Sequence, residues 1–233
     1  MSNSVLQRNY LITDSKLSMF SSMICSFLER DLSELLVFGV TQEKISALNE
    51  LIDEFKVFPT DSYVKANVME ATVEKLEKEL ILMKTFRQMG MRVAFKWGEK
   101  SSKYKRFGVS GMNSFSDAKL LDNARAAVTF LNEVKDELAE TGLTQAMLDD
   151  FEAECNDFEA AKNKQKEMIE LRANKTAERI SKGNAIYELV SKYCEIGKNV
   201  FAYSNPARYN DYLIYKGRRW KKRKVEEEKE EIE

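Results

Sequence analysis

DSKLSMFSSMICSFLERDLSELLVFGVTQ, residues 14–42, returns at residues 117–145 as DAKLLDNARAAVTFLNEVKDELAETGLTQ. Aligned without a gap, ten of the 29 positions are identical. Asp14, Lys16, Leu17, Phe27, Leu28, Glu34, Leu35, Gly39, Thr41 and Gln42 fall on Asp117, Lys119, Leu120, Phe130, Leu131, Glu137, Leu138, Gly142, Thr144 and Gln145. A repeat at one fixed offset decides the architecture before any local pattern is read. Apolar residues Leu17, Phe20, Ile24, Phe27, Leu28, Leu32 and Leu35 recur at helical spacing and make one broad face. The spacing predicts a first helix capped by Asp14 and running to Phe38, and a copy starting at Ser116 or Asp117. Gly39 and Gly142 supply the left-handed turn that stops each helix, and the Thr41 and Thr144 hydroxyls cap the next. Helices joined by so short a turn fold back as an antiparallel hairpin.

Gln42–Lys56 continues helical until Phe58-Pro59-Thr60-Asp61. Proline lacks the N–H that the helix ladder needs and pushes its predecessor out of helical geometry, so the chain breaks there and restarts with Asp61 as cap. Met69, Val73, Leu76, Leu80 and Met83 follow four, three, four and three apart, a coiled-coil-like core seam continuing toward Phe95. The copy has no proline at Ala160–Lys164, so its helix is either continuous or bent. Its seam reads Ala173, Thr176, Ile180, Tyr187, Val190, Cys194 and Phe201. Lys96–Phe115, with three glycines and several serines, reads as the linker between the halves. The expectation is an all-α, elongated helical bundle of two tandem helical-hairpin repeats with pseudo-twofold symmetry. Repeat one spans 13–115, repeat two spans 116–215, and a charged C-terminal tail spans 216–233. One hairpin leaves a wide apolar face, and the second copy offers a matching face to cover it.

Asn205-Pro206 reads as a cap followed by proline in a first turn, opening a short helix through Tyr215. Paired hairpins with a Gly-x-Thr turn, closed by this Asn-Pro…Tyr segment, resemble uncharacterised tandem helical-hairpin proteins of Bacteroidota-type bacteria. That family has no established activity, so the resemblance implies a helical bundle and lends no catalytic residue.

The chain has 233 residues, 32% charged, with only 2 prolines and a net charge of −1. Few turn residues argue against a strand-rich fold, and the balanced charge gives no global field toward nucleic acid or membrane. Met1–Thr13 does not read as a signal peptide, and no apolar run approaches the roughly 20 residues of a membrane helix. The reading is cytoplasmic, without membrane insertion. Histidine is absent, which excludes Ser-His-Asp and Cys-His catalysis and histidine-based metal sites. No phosphate-binding Gly-x-x-x-x-Gly-Lys loop occurs. No catalytic, cofactor-binding or metal-ligating residue is assigned. Asp149, Asp150, Glu152 and Glu154 are carboxylates of the right type for acid–base work, but a solvated helix face is the simpler reading. Cys25, Cys155 and Cys194 lack any disulfide or metal spacing, and Cys155, aligned with Ile52, reads as a core thiol.

Function is therefore expected to be non-enzymatic, an interaction or scaffold protein for an unknown protein partner or for self-association. The alternative is nucleic-acid or anionic-surface binding through Arg218, Arg219, Trp220, Lys221, Lys222 and Arg223, where cations flank an aromatic. The glutamates that follow, from Glu226 onward, pair at i, i+4 with this block and disfavour a polyanion. A second aromatic-basic stretch, Phe95–Trp97 with Lys103–Phe107, reads as a seal on the bundle end with cationic stems reaching outward, an aromatic-lined groove being the alternative.

Overall fold

The computed structural model describes residues 6–214, and every regular element among them is helical. In chain order these are α1 (Asp14–Arg30), α2 (Leu32–Leu35), α3 (Gln42–Val57), α4 (Asp61–Trp97), α5 (Ser102–Phe107), α6 (Asp117–Glu133), α7 (Gln145–Phe201) and α8 (Pro206–Asp211). The all-α expectation holds. The tail 216–233 lies outside the described residues. Two compact units divide the chain, one gathering residues 6–59 with 175–214 and the other being Thr60–Asn174. Each unit draws on both of the ranges 13–115 and 116–215.

In the first unit, Thr13 rather than Asp14 caps α1, its hydroxyl accepting the Lys16 N–H at 3.3 Å. Asp14 stands one residue further in, where its charge faces the positive end of the helix. The α-helix stops at Arg30, short of the expected Phe38, because Asp31 takes φ −101° and ψ 14°. A turn of helix, α2, and a 3-10 turn then reach Gly39 at φ 76°. The second unit shows the same interruption at Val134, with φ −113° and ψ 15°, before Gly142 at φ 74°. What both share is a leucine, Leu35 or Leu138, fully buried just ahead of the turn. The cap expectation splits at the next helix: Thr144 accepts the Met147 N–H at 3.3 Å, whereas Thr41 makes no such bond and its hydroxyl meets the Glu43 carboxylate.

Each unit has its own core. The first packs Leu17, Ile24 and Leu28 of α1 and Ile45, Leu48, Ile52 and Phe55 of α3 against Ile186, Val190, Cys194 and Phe201 of α7. The second packs Leu82, Phe86, Met89 and Val93 of α4 with Leu120, Ala124 and Leu131 of α6 and Leu148, Phe151, Cys155 and Phe158 of α7. Fully burying one such side chain contributes about 1.5–3 kcal/mol, so these rows hold each unit together. Pro59 interrupts the path from α3 to α4 as expected, with Thr60 rather than Asp61 as cap. Without proline, α7 runs unbroken through all 57 of its residues. The stretch 96–115 is not a free linker. It holds α5, and Phe107, Val109 and Met112 are buried in the second core.

Candidate interaction surface

α4 has two apolar rows, and the structure buries the less regular one. Val64, Ala71, Lys75, Leu82, Phe86, Met89 and Val93 are buried, the last four of them in the second unit's core. The row Met69, Val73, Leu76 and Leu80, expected as a core seam, faces solvent at 61%, 55%, 53% and 69% exposure. Only Met83, its last member, packs partly against the core. Lys75 is 9% exposed while its neighbour Leu76 stands in water. Lone exposed leucines are ordinary, but an exposed apolar row beside a buried lysine is informative.

The inversion has a local cause. Between residues 61 and 80, α4 is held to α7 and α6 by polar groups. Lys75 Nζ lies 2.9 Å from Asp117 and 3.4 Å from Glu79. Lys78 pairs with Asp157 at 2.7 Å, Lys164 with Glu74 at 2.6 Å, and the Gln165 amide donates to Thr72 at 2.9 Å. Burial pulls the Lys75 ammonium down, but Asp117 and Glu79 outweigh it and hold its pKa above the usual lysine value. Lys75 takes the inward face, the other pairs lie along its exposed margin, and the leucines and methionines of the row are left outward. Exposed charges flank the outward row: Lys65, Glu70, Glu77 and Lys84.

The row leads into a concavity. Arg87 and Met91, its next members along α4, line a shallow groove of about 390 Å³ with Tyr104, Val109 and Asn113. Arg87 donates to the Asn113 side-chain oxygen at 3.1 Å, which fixes one wall. The aromatic seal expected from sequence is present nearby. Trp97 meets Phe130 edge-on at 6.4 Å between ring centres, and the Lys103 ammonium sits 4.2 Å above the Trp97 ring. Phe95 is not part of it and projects outward. In the first unit, the corresponding closure is Tyr212, stacked on Phe201 at 6.0 Å.

No family model, curated protein or solved structure matches this chain.

The residues singled out from sequence are placed as follows. Arg218, Arg219, Trp220, Lys221, Lys222 and Arg223 lie outside the described residues. Asp149, Asp150 and Glu152 are exposed along α7. Glu154 is half-buried, with one carboxylate oxygen lacking a hydrogen-bond partner, and burial pushes its pKa above the ordinary glutamate value. Among the described residues no cluster of carboxylates and thiols could hold a metal ion, and no helix is long and apolar enough to cross a membrane. All three cysteines are buried and unpaired. Sequence reasoning found the α4 row but assigned it to the wrong side. The signal that could have corrected it is Ala71 and Lys75: a second, smaller face nearly half a turn away, with Glu79 four residues on from Lys75 to pair with it.

Proposed function

We propose that this chain is a non-enzymatic interaction protein whose docking surface is the α4 row Met69, Val73, Leu76 and Leu80. One observation carries this reading: a heptad-spaced apolar row is exposed on a helix whose inward face is partly polar. Such a row presents anchors at the spacing that helix-in-groove recognition uses. The helix is already ordered by its own unit, so a partner gains apolar contact without the cost of folding it.

The scaffold behind this surface is read as a duplication, two tandem helical hairpins related by a pseudo-twofold. Buried positions support it, since Leu17, Leu28, Leu35, Leu48 and Phe55 align with Leu120, Leu131, Leu138, Phe151 and Phe158, all buried. On this reading the repeats exchange their long arms, because the first unit joins the α1–α3 hairpin to the end of α7 while the second joins α6 and the start of α7 to α4. Kinship with the Bacteroidota-type helical-hairpin proteins and a cytoplasmic location belong to the same proposal. Three unpaired buried thiols accord with a reducing compartment.

The test is capture of partners from source cells by the full chain and by Leu76→Glu with Leu80→Glu. Binding that depends on the row supports the reading. Binding that persists in the variant but disappears without residues 216–233, and that falls steeply with salt, would replace it with the anionic-polymer alternative.

A further inference from the structure

We infer that a second copy of this chain covers the row, through parallel, in-register pairing of the two α4 helices. The inference rests on the docking reading above and names its occupant. In heptad terms, Val73 and Leu80 take a positions and Met69, Leu76 and Met83 take d positions, the four-three alternation of a two-stranded seam. A β-branched residue at a with leucine at the following d favours two parallel strands.

Charge then selects the partner and its direction. Flanking positions facing the seam are Lys65 and Glu79 on the g side and Glu70, Glu77 and Lys84 on the e side. In a parallel pair, each g residue meets the e residue five places on in the other helix. Lys65 therefore meets Glu70 of the second copy, and Glu79 meets Lys84 of the second copy, each contact occurring twice by symmetry. Thr72 falls opposite Glu77, so no like charges meet. Glu79 is half-buried and already lies 3.4 Å from Lys75, so it joins a small network rather than an isolated pair. An antiparallel pair that matches Glu70 with Lys84 instead sets Glu77 against Glu77 of the second copy. A seam this complementary to itself is addressed to a second copy. About two heptads would be marginal for free peptides, but here both helices are preformed by packing within their own units.

Sedimentation equilibrium of the full chain over a wide concentration series should show a reversible dimer. Leu76→Glu with Leu80→Glu should be monomeric with unchanged helicity, since both side chains are exposed within one copy. Its melting temperature should equal that of the native chain diluted to the monomer. Lys65→Glu should weaken the dimer several-fold by facing Glu70, and adding Glu70→Lys should restore it. Val73→Cys should form a disulfide-linked dimer on mild oxidation, because a positions of a parallel pair face each other. A dimer that depends on the row yet gives no Val73→Cys cross-link overturns the parallel register. A protein monomeric at every concentration overturns the inference. If that monomer still binds a foreign helix through the row, the docking reading survives alone. If its binding ignores the row, both fail.

Discussion

At the scale of single residues, buried polar groups show which parts of the molecule are tightly specified. Asp31 is fully buried. It accepts the Tyr212 hydroxyl at 2.8 Å and two Arg30 donors at 2.8 Å, with Arg208 at 3.2 Å. Burial alone would raise its pKa, but the bonds from Arg30 and Tyr212 outweigh that and hold it below the ordinary value. Asp14 follows the same balance, its burial outweighed by Arg8, Tyr10 and Arg179. A carboxyl with a depressed folded pKa contributes stability that is complete above the unfolded value near 3.8 and disappears as pH falls through the folded one. Melting temperature should therefore hold from neutrality down to about pH 5 and then fall steeply, and Asp31→Asn should flatten part of that fall. A curve of identical shape in the variant would remove Asp31 from the account. Asp31→Ala should cost about 2–4 kcal/mol in denaturant titration, because it strands the Tyr212 hydroxyl and two partly exposed arginines. The thiols give a second check. Burial pushes Cys25 and Cys155 up to about 11 and Cys194 up to about 12, so a water-soluble thiol reagent should label them slowly in native protein and quickly in denaturant. The core role of Cys155 was legible because the repeat aligned it with isoleucine. The role of Asp31 was not, since its partner Tyr212 is 181 residues away and no local pattern links them.

At the scale of elements, helix ends were the most readable feature and helix faces the least. Glycine and proline act on their neighbours, so the left-handed turns at Gly39 and Gly142 and the break at Pro59 could be found by inspection, whereas the earlier helix stops at Asp31 and Val134 could not. Choosing which face of α4 is buried requires knowing what lies beside it, and there the most regular apolar row was the wrong choice. Close approach between elements gives a sharp test. On α7, a β-carbon at Gly197 would stand 2.4–2.6 Å from the Tyr212 ring, too near for any relaxation short of moving that ring. Gly197→Ala should thus destabilise by about 1–3 kcal/mol although alanine is the better helix former. Near-ultraviolet circular dichroism should report loss of the Tyr212 environment in step. A gain in stability would mean that Tyr212 does not close against α7. Gly142→Val should cost a similar roughly 1–3 kcal/mol for a different reason, the left-handed φ of 74° that a β-branched residue resists.

At the scale of the whole molecule, the sequence makes the helical class legible but not which helices share a core. That choice depends on contacts between residues far apart in the chain, which a repeat offset does not encode. The consequence is an asymmetry between the units. Thr60–Asn174 is one unbroken stretch with its own core, running from Leu82 to Phe158. The other unit needs both of its separated segments to complete a core that runs from Tyr10 to Tyr212. A fragment of residues 60–174 should therefore fold by itself. Its core includes the stretch from Phe107 to Met112, so the fragment needs no linker to be rebuilt. It should unfold in one cooperative transition with an enthalpy of about 0.7 kcal/mol per residue near 60 °C. Fragments 1–59 and 175–233 should each be unfolded alone and gain helicity only when mixed, because α1 and α3 would otherwise leave Leu17, Ile24, Ile45 and Phe55 without the α7 side of their core. A non-cooperative, dye-binding 60–174 fragment would show that its core depends on the rest of the chain. Independent folding of 1–59 would show that its hairpin suffices without α7. Because the α4 row lies wholly within 60–174, the same fragment should retain its docking surface.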